Sequence, residues 1–401
     1  MPGSVLANLR EHLSEGSWLS DTTVEKLTVG RDKLIDFLND RYLQEFIPLG
    51  GGKVKLVYGS DGSGKSHFLA EMGRLAKEFG FVVSYLDARH TSLHEFNNLY
   101  RAVANVLRPV EMIEALYYEI LRDHGFVDEQ EKLDEPVVNV WQREETDGLY
   151  LPRLKKAIEG VYKDKNLNRS FATAIAQGLG HLSGMHRLTE DEWDALQRWL
   201  LGEKLPRRET RSLRIYQKVD RYTGRDMLRS WAHLVTAHLD KKGILILVDN
   251  LEVLVGDRQT SYSRGKRDAA YENLRQFIDD VDRASYVFLL LAGGHQVVND
   301  KKRGLYSYPA LWQRLQDEIS STRPNRFADL INLDQYPLST GELRELAILL
   351  CTLWKEETGL EEPPPTLVTR RVNEAQAGAG QYAPPGHLVR ALLRDFEGRR
   401  A

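Results

Sequence analysis

Between Gly59 and His67 the chain reads GSDGSGKSH, with four residues separating Gly59 from the run Gly64-Lys65-Ser66. Glycines at such spacing let successive backbone N–H groups curl around an anion, and a lysine and a hydroxyl at the end of the turn extend the grip. The chemistry is that of a nucleoside triphosphate: Lys65 would reach its β- and γ-phosphates, and the Ser66 hydroxyl would ligate Mg2+. The candidate nucleotide-binding residues are therefore Gly59, Ser60, Asp61, Gly62, Ser63, Gly64, Lys65, Ser66 and His67. A magnesium ion held by one hydroxyl needs a carboxylate at the end of a neighbouring buried strand. The stretch GILILVDNLEVL supplies it, since five apolar residues, Ile244 to Val248, lead into Asp249. Lys65 and Asp249 are candidate catalytic residues, and Ser66 and Asp249 the candidate Mg2+ ligands.

Such a turn works only between a strand that delivers it and a helix that leaves it. KVKLVY reads as the strand and SHFLAEMGRLAKEF, with apolar residues at helical spacing, as the helix. Further strands are expected at VVSYLDA from Val82, YVFLLLAG from Tyr286 and DLINLD from Asp329. Five strands alternating with helical patterns predict a three-layer α/β fold with a largely parallel five-stranded sheet. Residues 67–248 lie between the loop and Asp249, more than a compact nucleotide fold needs. About Pro109 to Lys204 reads as a helical insertion: Thr189 and Glu192 form a capping box, and Trp193, Leu196, Trp199 and Leu200 share one face. Ser339 and Glu342 form a second capping box at the start of an all-helical C-terminal segment. The expected organisation is a helical lead-in at 1–50, a core in two parts at 51–108 and 206–334, the insertion at 109–205 and a helical lid at 335–401.

Composition narrows the class. The 401 residues are 42% hydrophobic and 28% charged, as in a soluble globular protein. No apolar run approaches the roughly 18 residues that span a bilayer, and the N-terminus lacks the continuous apolar segment of a signal peptide. A cytoplasmic protein without membrane contact is expected. The single cysteine, Cys351, excludes an internal disulfide or a thiolate zinc site within one chain. A net charge of −3 gives no global nucleic-acid signature, so such contact must come from a local patch. Arg207, Arg211, Arg214, Lys218 and Arg221 fall at helical 4-3-4-3 spacing and would form a stripe able to track duplex DNA. A helix-start signal at Thr223 with Asp226 competes with that reading.

The chain resembles AAA+ ATPases of the origin-recognition type and, within them, the ATP-binding proteins of bacteriophage exclusion (BREX) systems. TVGRDKLIDFL, YGSDGSGKSHFL, ILILVDNLEVL, RDAAYENLRQFIDD, YPALWQRL and PPGHLVRALLRDF carry the resemblance, in the family's order, over about residues 25 to 395. It implies ATP as the nucleotide, a sheet of order 5-1-4-3-2, a helical lid over the nucleotide, and Val29, Gly30 and Arg31 near the adenine. It also implies an arginine finger given to a neighbouring subunit's nucleotide, with Arg314, Arg323 and Arg326 as candidates, which would make the working form a homo-oligomer. Companion defence proteins are implied as partners.

Three positions depart from the pattern. The water-activating Glu expected directly after Asp249 is Asn250, so Glu252 would have to reach in. Gly294 stands where a Thr or Asn would sense the γ-phosphate, leaving His295 or Gln296 as substitutes. Pro385-Gly386-His387 stands where a Pro-Arg pair would place an arginine on the phosphates, with Arg390 the nearest replacement. Two readings follow: a slow or partner-stimulated ATPase, or a nucleotide-dependent switch resembling signal-transducing NTPases. The latter carry long repeat domains that this chain does not show after its lid. A DNA-loading initiator would need a winged-helix domain after the lid and ranks below both.

Overall fold

The computed structural model describes residues 4–124, 150–256, 262–280, 285–319, 325–377 and 384–400. Five strands form one sheet: β1 (Gly52–Gly59), β2 (Val82–Asp87), β3 (Ile244–Asp249), β4 (Val287–Gly294) and β5 (Leu330–Asn332). Their order is β2-β3-β4-β1-β5 and every pairing is parallel, the order that the resemblance implies. Parallel neighbours need long crossovers, and helices supply them on both faces. β3 and β4 are buried along their whole length, which explains why their sequences read as unbroken apolar runs rather than alternating ones.

Before the sheet come α1 (Val5–Glu15), α2 (Asp21–Leu27) and α3 (Asp32–Leu38), the last continuing into a π-helix at Asn39–Phe46. α4 (Lys65–Glu78) joins β1 to β2. α5 (Phe96–Leu107), α6 (Pro109–Asp123), α7 (Tyr150–Lys163), α8 (Arg169–Leu182), α9 (Glu190–Leu200), α10 (Arg207–Ser212) and α11 (Gly224–His238) lie between β2 and β3. α12 (Arg264–Asp279) leads to β4, and α13 (His295–Asn299) and α14 (Pro309–Ile319) lead to β5. α15 (Thr340–Thr358), α16 (Pro365–Ala377) and α17 (Pro385–Arg400) follow. The capping boxes expected at Thr189/Glu192 and Ser339/Glu342 are both formed, opening α9 and α15. Leu196, Trp199 and Leu200 are buried as the helical face requires, with Trp193 packed at its edge.

Strand alternation sorts the core. Leu245, Leu247, Phe288 and Leu290 face α3, the π-helix and α4, while Ile244, Ile246, Val248, Leu289 and Leu291 face the opposite layer. That second layer is continuous with α6, α8, α9 and α11 through Ile113, Phe171, Leu196 and Trp231. A separate apolar cluster joins α1 and α2 to the last three helices through Leu6, Leu9, Leu27, Leu350, Trp354 and Phe396. Glu357 seals that union by accepting the free N–H of Val5 at 2.6 Å, an anion at a helix N-terminus. Among the described residues no helix is long and apolar enough to cross a membrane.

The basic stripe expected from 4-3-4-3 spacing is not a helical face. α10 ends at Ser212, and Arg214 takes a left-handed backbone with φ of 52°. Buried Leu213, Ile215 and Val219 pull the following segment onto the protein instead. α11 does start after Thr223, yet the Thr223 hydroxyl bonds Lys218 and Asp220 rather than capping the helix.

Candidate functional site

Gly59 ends β1, and the loop from Ser60 to Gly64 closes onto the first turn of α4. Gly64 has φ of 89°, a left-handed conformation that a side chain would strain, and that turn closes the loop onto the first turn of α4. Lys65 folds back over the loop, donating to the carbonyls of Ser60 at 3.0 Å and Gly59 at 3.3 Å. The loop is braced from both sides. Arg31, with φ of 64°, donates to the Ser63 carbonyl at 2.7 Å and the Tyr336 carbonyl at 2.9 Å. Burial lowers its guanidinium pKa to about 10, so it stays charged at neutral pH. On the other side Asp334 accepts from the Ser60 N–H and hydroxyl, each at 3.0 Å.

Asp249, at the end of β3, is almost fully buried, and burial raises its carboxyl pKa while the Ser66 hydroxyl and the Asn250 N–H pull it back. The Asn250 N–H contact is 2.8 Å. Next to it in register stands Asp87, which ends β2. Burial works against ionisation of Asp87, but the Arg89 guanidinium and the Asn250 amide hold its pKa below the ordinary value. Asn250 is left-handed, with φ of 61° and ψ of 40°, and turns the chain into a 3-10 helix at Leu251–Leu254. Glu252 is thus not two strand steps beyond Asn250. The turn brings its carboxylate back to 4.0 Å from Lys65 Nζ, and burial raises its pKa.

One cavity of about 310 Å3 joins these groups. Asp61, Gly62, Gly64, Lys65, Ser66 and His67 line its polar end, with Asp249, Asn250 and Glu252 beside them. Leu9, Leu27, Val29, Leu338, Leu346 and Val389 make an apolar end suited to a base. Val29 and Arg31 line it, whereas Gly30 sits against Leu338 and Glu342. Ser60 and Ser63 act in the loop frame rather than on the wall. His67 is neutral near pH 7, because burial lowers its pKa to about 4, and its Nε2 meets Thr28 Oγ1 at 2.8 Å.

The substitutes expected for the missing sensor do not reach the cavity. His295 Nε2 is bound to Asp334 Oδ2 at 2.6 Å, and neither it nor Gln296 lines the wall. Arg390 does line it, with Nη1 donating to Asp61 Oδ2 at 2.8 Å, a bond that holds the Asp61 carboxyl pKa below its usual range. Gly386 explains why no arginine stands three residues after Ala383: its N–H donates to the Gly62 carbonyl at 2.8 Å, and a Cβ there would lie 2.8 Å from Gly62 Cα. Gly386→Ala is expected to cost about 1–3 kcal/mol through that backbone clash, read as a lowered denaturant midpoint. Of the finger candidates, Arg314 Nη2 donates to Asp279 at 2.7 Å. Arg326 donates to the Lys33 carbonyl at 3.0 Å and lies over Phe37. Arg323 falls outside the described residues.

Sequence reasoning missed the wall that α1 supplies. His12, Leu13, Ser14 and Gly16 line the cavity, and His12 Nδ1 donates to the Ser17 carbonyl at 2.6 Å. The amphipathic pattern of residues 5–15 was the available signal, but it shows only that the helix packs. Arg89 was also missed: it lines the cavity while bonded to Asp87. No spacing rule ties it to a loop that it meets only on folding.

A glycine-rich strand-loop-helix, a lysine folded over it and a buried carboxylate two strands away on an all-parallel sheet are consistent with a P-loop NTPase-like α/β fold. The chain belongs to the family described as BREX system ATP-binding protein BrxC/D, whose model matches residues 13–396. That membership gives it a nucleotide-binding role in phage defence. No curated protein matches it.

Proposed function

We propose that this chain is an AAA+-type ATPase of the cytoplasm, slow alone or stimulated by DNA or companion defence proteins. The observation that carries the reading is Glu252, a carboxylate in the same cavity as Lys65, Ser66 and Asp249. The donor set suits Mg2+, since the Ser66 hydroxyl and the Asp249 carboxylate are hard oxygen ligands side by side. Bound there, Mg2+ would neutralise charge on the β- and γ-phosphates. Lys65 would leave the loop carbonyls and Glu252 for the phosphates, which frees Glu252 to take a proton from the attacking water. Its burial-raised pKa makes it a stronger base than a solvated glutamate. The last three helices act as a lid, held to the loop by Gly386 and Arg390. An arginine finger from a neighbouring copy, drawn from Arg314, Arg323 or Arg326, would require Arg314 or Arg326 to give up its present bond.

A second reading, a non-hydrolysing switch, is favoured by the bond between Arg390 and Asp61. A bound phosphate competes with Asp61 for that guanidinium, so binding alone changes how the lid is gripped. ATP binding and turnover measured on one preparation, with and without duplex DNA, separate the two. Lys65→Ala is expected to lose most ATP affinity, about tenfold or more for a charge-assisted contact to phosphate. Unstimulated turnover at or above about 1 s−1 would overturn the slow reading.

A further inference from the structure

The segment 204–222, between α9 and α11, lines no part of the nucleotide cavity. Its exposed cations include Arg207, Arg208, Arg211, Arg214 and Lys218, and its two acids are already engaged. Glu209 pairs with Arg198 at 2.9 Å, and Asp220 with Lys218 at 3.3 Å. Two tyrosines stand almost clear of the protein: Tyr216 is 83% exposed and Tyr222 is 70% exposed. Exposed ring faces among cations are the pairing that stacks bases while backbone phosphates are neutralised.

The segment is built, not loose. Leu213, Ile215 and Val219 are buried and anchor the segment, while Arg214 and the run Tyr216, Gln217 and Lys218 are exposed, so a ring lies between two cations. Its backbone is pinned at Ile215 and Gln217. The Ile215 N–H donates to the Thr210 carbonyl at 2.9 Å, the Gln217 N–H to Ser170 Oγ at 3.2 Å, and the Trp199 indole to the Gln217 carbonyl at 3.0 Å. At the far end Arg221 lies over the Tyr222 ring, 4.6 Å from its centroid. Tyr222 also walls a cleft of about 150 Å3 that Arg225, Arg229 and Phe277 help to line.

We propose that this surface binds single-stranded nucleic acid, the arginines taking backbone phosphates and Tyr216 and Tyr222 stacking bases. Duplex DNA offers the same phosphates but keeps its base faces closed, so it would leave both rings unused. The inference does not depend on hydrolysis, because the surface shares no residue with the cavity.

The test is fluorescence anisotropy of the full chain with labelled oligo(dT) and with a duplex of equal length, in salt from about 50 to about 200 mM. ATP binding is followed in the same preparations. The double variant Tyr216→Ala/Tyr222→Ala is expected to weaken oligo(dT) binding about tenfold or more, and to leave ATP binding unchanged. Arg211→Ala/Arg214→Ala is expected to lower the salt slope by about 0.7 for each phosphate that the variant no longer neutralises. Absence of oligo(dT) binding at the lowest salt would overturn the proposal. So would binding that is indifferent to the tyrosines, which would mark a bare cationic patch. Unchanged ATP binding beside either result would leave the nucleotide site standing.

Discussion

Glu252→Gln is expected to cut ATP turnover by about 10²- to 10⁴-fold, the usual range for loss of a general base, with ATP affinity nearly unchanged. Glutamine keeps the size and the hydrogen-bonding shape of the residue but cannot accept the proton of the attacking water. The comparison with Asn250 sharpens the expectation. Asn250 lies directly after Asp249, yet its amide serves Asp87 and its backbone is left-handed. Asn250→Glu should therefore not rescue Glu252→Gln, because the side chain at 250 is aimed at Asp87 rather than at Lys65. Single-turnover hydrolysis, measured with and without DNA, checks both. A Glu252→Gln enzyme with wild-type turnover would remove this residue from the chemistry and leave the switch reading. Rescue by Asn250→Glu would show that the chain at 250 swings once nucleotide is bound.

The loop from Gly59 to Ser66 was legible because its pattern is local. Gly59 to Ser66 are contiguous, and the glycine spacing, the preceding strand and the following helix together predict the loop that joins β1 to α4. Asp249 was legible for a related reason, since a buried strand ending in a carboxylate is a short-range pattern. The sheet and both capping boxes followed from periodicity and spacing. What the sequence hid depends on where the chain goes after a turn. Glu252 reads as two strand steps too far until Asn250 bends the backbone, and a non-glycine left-handed residue gives no clear signal. The basic stripe failed by the same mechanism, since the left-handed Arg214 ends a helix that spacing alone would continue. Arg89, His12 and the Asp334 brace of Ser60 act across long stretches of chain, and one sequence carries no record of such pairings.

Trp231→Ala is expected to destabilise the whole described core by about 3–5 kcal/mol, the range for truncating a large buried aromatic. Trp231 on α11 is fully buried and packs edge to face on Phe171 of α8, with centroids 4.9 Å apart. Its indole donates to the Tyr100 hydroxyl at 3.1 Å, and that hydroxyl donates to the Leu200 carbonyl at 2.8 Å. One side chain thus ties α5, which follows β2, and α11, which leads to β3, to α8 and α9. Truncation leaves a cavity and takes the indole donor from Tyr100, whose own bond to Leu200 remains. Because the apolar cluster runs without a break from β3 to α9, urea unfolding should stay a single transition with a lower midpoint and an unchanged slope. If instead the helices between β2 and β3 form an independent unit, the curve would split, and ATP binding would survive the first transition. A single transition has a functional consequence. It would mean that the surface bearing Tyr216, pinned to α9 through Trp199, shares one cooperative unit with the strand that carries Asp249. A ligand on one could then bias the other without any hinge between them.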